Sequence, residues 1–462
     1  MKSFNILKKI EERLSGKTPV KLGVNKKNEL VRLVYEICCR DDKQPARVLE
    51  QIGMDLLVEE GKGDFFHRAK RRLMRLRYPS YVSDADPHLV PLKMDETRSE
   101  CRVWDFEIDP GVIFVEESVR GSSWTEKFLL DFPNAEIKEI RTFREGVRSL
   151  PKTDPVKQYA QRRDNVFLVR NKDAFIKICP CTKGYRRCGY WILNVGFGCP
   201  IDCAYCYLQS YSNAPGLVLA ANMEEYYPHI EQFDGKAAGR TRIGTGEFTD
   251  SLALDKYTKY SSMLIPFFRK RKNLVLELKT KIAGIDTVLK EEPHDNIVIS
   301  WSVNTPEVAQ KYEKGGAPME ERLNAALEAS KRGYKIGFHF DPIIYSRGWE
   351  DGYREVVESI FSKERLRKNT VWVSLGTLRY MSGLKQVAEQ RFSDTLMYYT
   401  GEFFTDTDGK LRYPREVRID IYDKMVRWIR EYDPSCWIYL CMEPEEVWRK
   451  TPLRENDYRY RG

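Results

Sequence analysis

The sequence predicts an α/β fold: a partial (β/α)6 TIM-like barrel with an N-terminal helical domain and a small α/β N-terminal lobe. Three observations carry the prediction. Beyond residue 190 short apolar runs alternate with longer amphipathic ones, the pattern of parallel strands covered by helices. Up to about residue 80, apolar side chains recur at helical spacing. The stretch between mixes a strand-like run with a helix-like one.

Taken in order, "SFNILKKIEERL", "KNELVRLVYEICC" and "DFFHRAKRRLMRLR" predict three helices, forming a helical domain over 1–85. "YPSYVSDADPHLVP" (78–91) is rich in Pro, Ser and Asp and reads as a linker. An α/β lobe is expected over 86–178. It has a strand at "GVIFVEES", a helix around "SWTEKFLLDF", and a charged, Pro-containing segment at 150–164. The barrel is placed at 179–385. Its candidate strands are "YWILNV" (190–195), "RIGTGEF" (242–248), "NLVLELK" (273–279), "NIVISWSV" (296–303), "KIGFHFD" (335–341) and "NTVWVSL" (369–375). Helices fit between them, among them "MEERLNAALEASKRG" (319–333), which closes on a glycine cap. Residues 386–462 read as a C-terminal α/β extension.

At 462 residues, 42% apolar and 31% charged, the chain has the composition of a soluble protein of two or three domains. No uncharged apolar run is long enough to span a bilayer. The N-terminus alternates charged and apolar residues and lacks a signal-peptide core. A cytoplasmic location and no membrane partner are therefore expected. In a reducing compartment, clustered members of the eleven cysteines point to metal binding or catalysis rather than disulfides. The net charge of +9 permits a nucleic-acid partner without requiring one. Its densest run, "HRAKRRLMRLRYP" (67–79), suits a solvated helix face and phosphate binding equally.

"GFGCPIDCAYCYLQ" follows the first predicted barrel strand and carries Cys199, Cys203 and Cys206 at C-x3-C-x2-C spacing. The C-terminal strand edge is where barrel enzymes keep their chemistry. Three thiolates can hold three irons of a 4Fe–4S cluster, whereas a structural zinc site asks for four ligands. One iron is left open. In position and spacing the stretch is similar to the cluster motif of radical S-adenosylmethionine enzymes. That resemblance implies that the open iron is chelated by S-adenosylmethionine, and that reductive cleavage yields a 5′-deoxyadenosyl radical. It also implies an electron donor such as flavodoxin or ferredoxin.

A narrower resemblance covers about residues 110 to 350. "CAYCYLQ" (203–209), "EFTDSLALD" (247–255), "LKTKIAGIDTVL" (278–289), "SWSVNTPEVAQKYEKG" (300–315) and "ERLNAALEASKRGYKIGFHFDPIIYSRGWEDGY" (321–353) resemble spore photoproduct lyase and its broader relatives. That enzyme repairs the thymine–thymine adduct of ultraviolet-irradiated spore DNA, by carbon–carbon bond lysis. The resemblance implies cluster-ligand roles for Cys199, Cys203 and Cys206. It implies that one of Tyr205 and Tyr207 serves a hydrogen-atom relay and the other lines the cofactor site. Thr249 and Asp250 stand where a Ser–Asp pair contacts S-adenosylmethionine, Lys281 where a lysine pairs with its carboxylate, and Ser302 where a hydroxyl lies near the same ligand. Read from the residues alone, strand-end hydroxyls bond local backbone and Tyr205 packs.

Two departures stand out. The lyase's hydrogen-donor cysteine aligns with Glu247, and a carboxylate cannot replace a thiol in that role. "GTGE" (244–247) instead resembles the Gly-Gly-Glu element of other radical S-adenosylmethionine enzymes, which implies that Glu247 holds the cofactor's amino group. Hydrogen return would then fall to Tyr207 or Cys441. Upstream, Cys179, Cys181 and Cys188 form C-x-C-x6-C, either a second iron–sulfur cluster or metal site or reduced thiols packed near the barrel mouth. Asp341, at the end of "KIGFHFD", is a cofactor or substrate contact by position, and His339 reads as buried and hydrogen-bonded. Arg347, Trp349 and Arg379 are expected on loops at the same edge, as a nucleic-acid groove would use them or as surface arginines and a packed tryptophan.

The leading expectation is a radical S-adenosylmethionine enzyme acting on a nucleic-acid lesion or modified nucleotide, with DNA as partner. A second is the same chemistry on a peptide, protein or small metabolite. A third is a non-catalytic iron–sulfur protein that binds nucleic acid.

Overall fold

The structure, a computed structural model, describes residues 9–10, 12, 22–53, 65–79, 107–172, 174–212, 214–237, 239–392 and 395–454. The expected helix over 3–14 and the linker over 78–91 fall almost wholly outside these. The described residues divide into two compact units. One is drawn from Met1–Glu100, Tyr345–Arg347 and Arg379–Pro414, the other from Cys101–Ile344, Gly348–Leu378 and Arg415–Gly462. No helix among the described residues is long and apolar enough to cross a membrane.

The first unit contains helices Val24–Asp41, Pro45–Gln51 and Phe65–Arg77, with a small antiparallel sheet of Arg379–Met381, Lys410–Arg412 and Phe404–Thr405. Helical spacing puts Leu30, Leu33, Val34 and Ile37 against Phe65, Ala69 and Leu73. The basic run 67–79 ends inward. Arg77 is buried and pairs with Glu36 at 3.0 Å, as do Arg32 at 2.9 Å and Lys385 at 2.7 Å. Part of the charge that looked available for phosphate is therefore structural.

The second unit carries two sheets. In the smaller, β1 (Val112–Glu116) is flanked in parallel by β2 (Glu136–Ile140) and β3 (Asn165–Val169). Beyond β3 lie β8 (Leu217–Ala220) and the two-residue β6 (Gly196–Phe197), giving the order β2-β1-β3-β8-β6. Period-two alternation feeds both faces. Ile113, Val115, Val166 and Leu168 pack under Phe128 of helix Ser123–Leu130. Phe114 and Phe167 stack at 4.6 Å on the other face, beneath helix Phe143–Ser149.

The larger sheet is the partial barrel. Its strands are β4 (Ile176–Ile178), β5 (Trp191–Leu193), β9 (Thr241–Gly244), β10 (Leu274–Thr280), β11 (Ile297–Ser302), β13 (Lys335–Ile343), β14 (Thr370–Thr377) and β15 (Ile438–Leu440). They run in the order β15-β14-β13-β11-β10-β9-β5-β4, all parallel except the edge strand β4. All six predicted runs are strands. The sheet is wider by β4 and β15, which lie outside the six predicted runs. Helix Met319–Arg332 ends as expected, with Gly333 at φ 112°, a left-handed position that glycine occupies without strain.

Candidate active site

The segment leaving β5 crosses to the smaller sheet as β6, then turns back into the loop that carries Cys199, Cys203 and Cys206. Two consecutive arginines from the end of the 150–164 segment grip that loop from below. Arg162 donates from Nε to the Cys199 carbonyl at 2.8 Å, and from Nη2 to the Ile201 carbonyl at 3.0 Å and Asp202 Oδ1 at 3.2 Å. Arg163 donates from Nε to the Pro200 carbonyl at 2.7 Å. Both are buried. On its other side the loop is pinned by β7 (Asp202–Cys203), which pairs antiparallel with β12 (Glu313–Lys314), and by the Ala204 N–H donating to the Tyr312 carbonyl at 2.7 Å.

The three thiols are not paired with other cysteines. Burial pushes the Cys199 thiol up to about 12, and nearby Asp250 adds to the effect; burial also raises Cys203 and Cys206. Thiols so placed are poor thiolates alone and become thiolates against a metal cation. Three soft donors in one braced loop therefore fit an iron–sulfur cluster with an open position.

Behind Cys203 lies a buried charge cluster that sequence reasoning missed. The Glu313 carboxylate meets Arg322 Nη1 at 2.6 Å and Lys281 Nζ at 3.4 Å, and accepts the Tyr205 hydroxyl. Burial would raise the Glu313 carboxyl, but Arg322 and Lys281 outweigh it and hold it at about 2. Arg322 also donates to the Ser302 carbonyl at 3.0 Å. Tyr205, Lys281 and Ser302 are thus brought together, and Lys281 lies over the Tyr205 ring at 5.7 Å.

Asp250 is held by its own fold. Its Oδ1 accepts the N–H groups of Leu252 (3.0 Å) and Ala253 (2.9 Å) and the Thr280 hydroxyl (2.7 Å), and Oδ2 accepts the Lys281 N–H at 2.8 Å. It clamps the 247–253 loop to the end of β10. Thr249 makes only a long bond to the Asp250 carbonyl, at 3.4 Å. Glu247 sits at the rim with the half-exposed Tyr207, whose hydroxyl donates to the Glu247 carbonyl at 2.9 Å.

Inside the barrel, Glu277 on β10 accepts from Ser300 Oγ (2.6 Å), His339 Nε2 (2.6 Å) and Trp372 Nε1 (3.1 Å). Arg242 approaches it at 3.8 Å, donates to the Tyr439 hydroxyl at 2.6 Å, and lies over the rings of Tyr439 and Trp372. His339 is the buried, hydrogen-bonded residue its strand position suggested. Lys279, two residues along β10, shares its electrostatic surroundings with Glu247, Glu277, Asp341 and Cys441. A sequence signal existed for this layer: "LVLELKT" places charges at alternate positions within an apolar strand, so one face of β10 had to be polar.

The upstream cysteines have different contacts, although Cys181 is among the groups that act electrostatically on Cys188. Cys179 and Cys181 have their sulfurs 3.6 Å apart, whereas the Cys188 sulfur accepts from Arg242 Nη2 at 3.3 Å. Among the described residues no three His, Cys, Asp or Glu side chains converge as they would on a single metal ion. The strap that carries them is fastened at Arg186, which pairs with Glu445 at 2.6 Å while its N–H donates to the Glu443 carbonyl at 3.3 Å. Trp349 is not on a loop: it opens helix Trp349–Phe361 and packs on Trp428. Arg347 lies in the turn just before that helix, as expected. Arg379 is on a strand of the first unit rather than a loop.

A loop with three thiols at the C-terminal edge of a partial barrel is the arrangement found in radical S-adenosylmethionine enzymes. The family model described as Spore photoproduct lyase matches residues 108–438, and the chain belongs to that family. It is 25% identical over 294 residues to the spore photoproduct lyase of Bacillus subtilis (strain 168), covering 62% of this chain and 83% of that one. To that of Geobacillus sp. (strain Y412MC61) it is 24% identical over 315 residues, covering 66% and 89%. The solved structure of a spore photoproduct lyase complexed with dinucleoside spore photoproduct superposes with a TM-score of 0.63 at 21% identity, covering 72% of this chain and 99% of that one. A mutant of that enzyme with bound AdoMet and the same dinucleoside gives the same values. These structures share the partial-barrel fold.

Proposed function

We propose that the protein is a radical S-adenosylmethionine lyase acting on a nucleic-acid lesion or modified nucleotide. The observation that carries the reading is the braced three-thiol loop at the barrel's C-terminal edge. Cys199, Cys203 and Cys206 would hold a 4Fe–4S cluster, and S-adenosylmethionine bound to it supplies a 5′-deoxyadenosyl radical for hydrogen abstraction. Arg162, Arg163 and the β7–β12 pairing keep the thiols in register. Glu247 at the rim would hold the cofactor's amino group. Lys281 and Ser302 would line the same cofactor site. Asp250, another expected cofactor contact, would also position Lys281 through its backbone N–H. The nucleic-acid substrate is supported by relatives solved with a dinucleoside photoproduct.

Because position 247 is a glutamate, hydrogen return differs from the lyase's, and Tyr207, hydrogen-bonded beside Glu247, is the candidate for it. The test is anaerobic, with cluster-loaded protein, a one-electron donor such as flavodoxin or ferredoxin, S-adenosylmethionine and irradiated DNA. Restored thymine, absent with Tyr207→Phe while 5′-deoxyadenosine still forms, supports the reading. Deoxyadenosine without any change in irradiated DNA or RNA refutes the nucleic-acid substrate.

A further inference from the structure

The smaller sheet carries a feature that the radical chemistry does not use. The chain leaves β1 for β2 on one side and reaches β3 on the other, and all three strands are parallel. Strand order therefore reverses between β1 and β3, and in open α/β sheets ligands sit at the carboxyl ends of strands at such a point. A crevice of about 800 Å³ lies there, lined by Glu116 at the end of β1, residues 142–144 after β2 and residues 169–172 of and after β3.

Its chemistry is specific. Among the described residues, Arg144, Arg170 and Lys172 share the lining with a single carboxylate, Glu116. Arg170 is held by Glu225 at 2.9 and 3.2 Å, and Lys172 by Glu116 at 3.1 Å, with the Lys172 side chain still 65% exposed. Arg144 is exposed and has no ion-pair partner among the described residues. Aromatic faces come from Phe143, Phe197 and Tyr211. Asn194 lines the crevice too, and its side-chain oxygen is buried without a hydrogen-bond partner among the described residues. A buried acceptor left so is costly unless something supplies an N–H or O–H.

We propose that this crevice binds a phosphorylated nucleoside, with phosphate on Arg144 and Lys172, the base against the aromatic side chains, and a base N–H on the Asn194 oxygen. Cations for phosphate and rings for stacking are how single strands are held. The wall formed by Asn194 and Phe197 continues into the cluster loop, and Tyr211 neighbours Tyr207, with ring centroids 6.1 Å apart. The inference goes beyond the radical reading and does not depend on it. The ligand is either part of a strand or a free nucleotide.

The test uses the full, cluster-loaded chain and fluorescein-labelled oligothymidylate, read by anisotropy across a salt series, with thymidine monophosphate as competitor. The double variant Arg144→Ala/Lys172→Ala should bind about tenfold more weakly. Its log–log salt slope should fall by about 0.7, for the one single-strand phosphate that no longer meets a cation. Asn194→Leu should weaken binding with the slope unchanged. Arg148→Ala, on the same helix but outside the crevice, should match the native protein. Displacement by the monophosphate marks a nucleotide pocket, and its failure marks a strand groove; both uphold the site. Native affinity and slope in the double variant overturn it. Deoxyadenosine release is measured in parallel, so weakened binding with intact cofactor cleavage separates this site from the reaction.

Discussion

Replacing Glu313 by glutamine keeps the shape of the site and removes one charge. The glutamine oxygen still accepts the Tyr205 hydroxyl, but Arg322, fully buried at 2.6 Å, loses its counter-ion, and Lys281 at 3.4 Å loses part of its own. Breaking a buried pair from one side costs about 3–5 kcal/mol, because the remaining charge stays desolvated. The carboxyl's displacement from its ordinary 4.5 to about 2 gives a second measure: at 1.36 kcal/mol for each pH unit it is worth about 3 kcal/mol. Chemical denaturation of Glu313→Gln at neutral pH should show a loss of that size. The carboxyl sits below its unfolded value, so its stabilisation is present above pH 4.5 and disappears as the pH falls toward 2. The difference between variant and native protein should shrink across the same window. Adding Arg322→Met should recover part of the loss. A Glu313→Gln variant within about 1 kcal/mol of native at neutral pH would refute the buried-pair reasoning.

Three further outcomes follow from the site. Arg162→Met removes the donor to the Cys199 and Ile201 carbonyls, so iron bound after anaerobic reconstitution should drop well below native while Arg148→Ala retains it. Asp250→Asn replaces an acceptor oxygen by an amide N–H and leaves at least one of its four donors unmatched. It should cost about 1–3 kcal/mol of stability by thermal unfolding. Arg77→Met removes one of the three cations that pair with buried Glu36 and should destabilise the first unit, seen as faster proteolysis within Val24–Asp41.

The barrel was legible because its strands are long apolar runs separated by amphipathic helices, and the cluster loop because thiols at that spacing have few uses. The edge strands β4 and β15 were not: β4 has a lysine at the centre of its three residues, and β15 lies in the segment read only as a C-terminal α/β extension. β2, "EIKEI", buries only its last residue and reads as charged surface. Arg162 and Arg163 were hidden for a different reason. In sequence they belong to a charged, Pro-containing stretch, and apart from the Asp202 carboxylate their targets are backbone carbonyls of a loop some forty residues on, which no side-chain pattern records. Glu313 likewise gains its meaning from Arg322 and Lys281, which the fold brings to it from two other elements. The basic run 67–79 had an ambiguous composition, and the burial of Arg77 settled one end of it as structural.

The most direct test of the central claim is S-adenosylmethionine cleavage by the anaerobically reconstituted, reduced full-length chain. Release of 5′-deoxyadenosine by the native protein, and its loss in Cys203→Ala, is the predicted result. A native protein that binds its iron fully yet releases no deoxyadenosine under any reductant would contradict it.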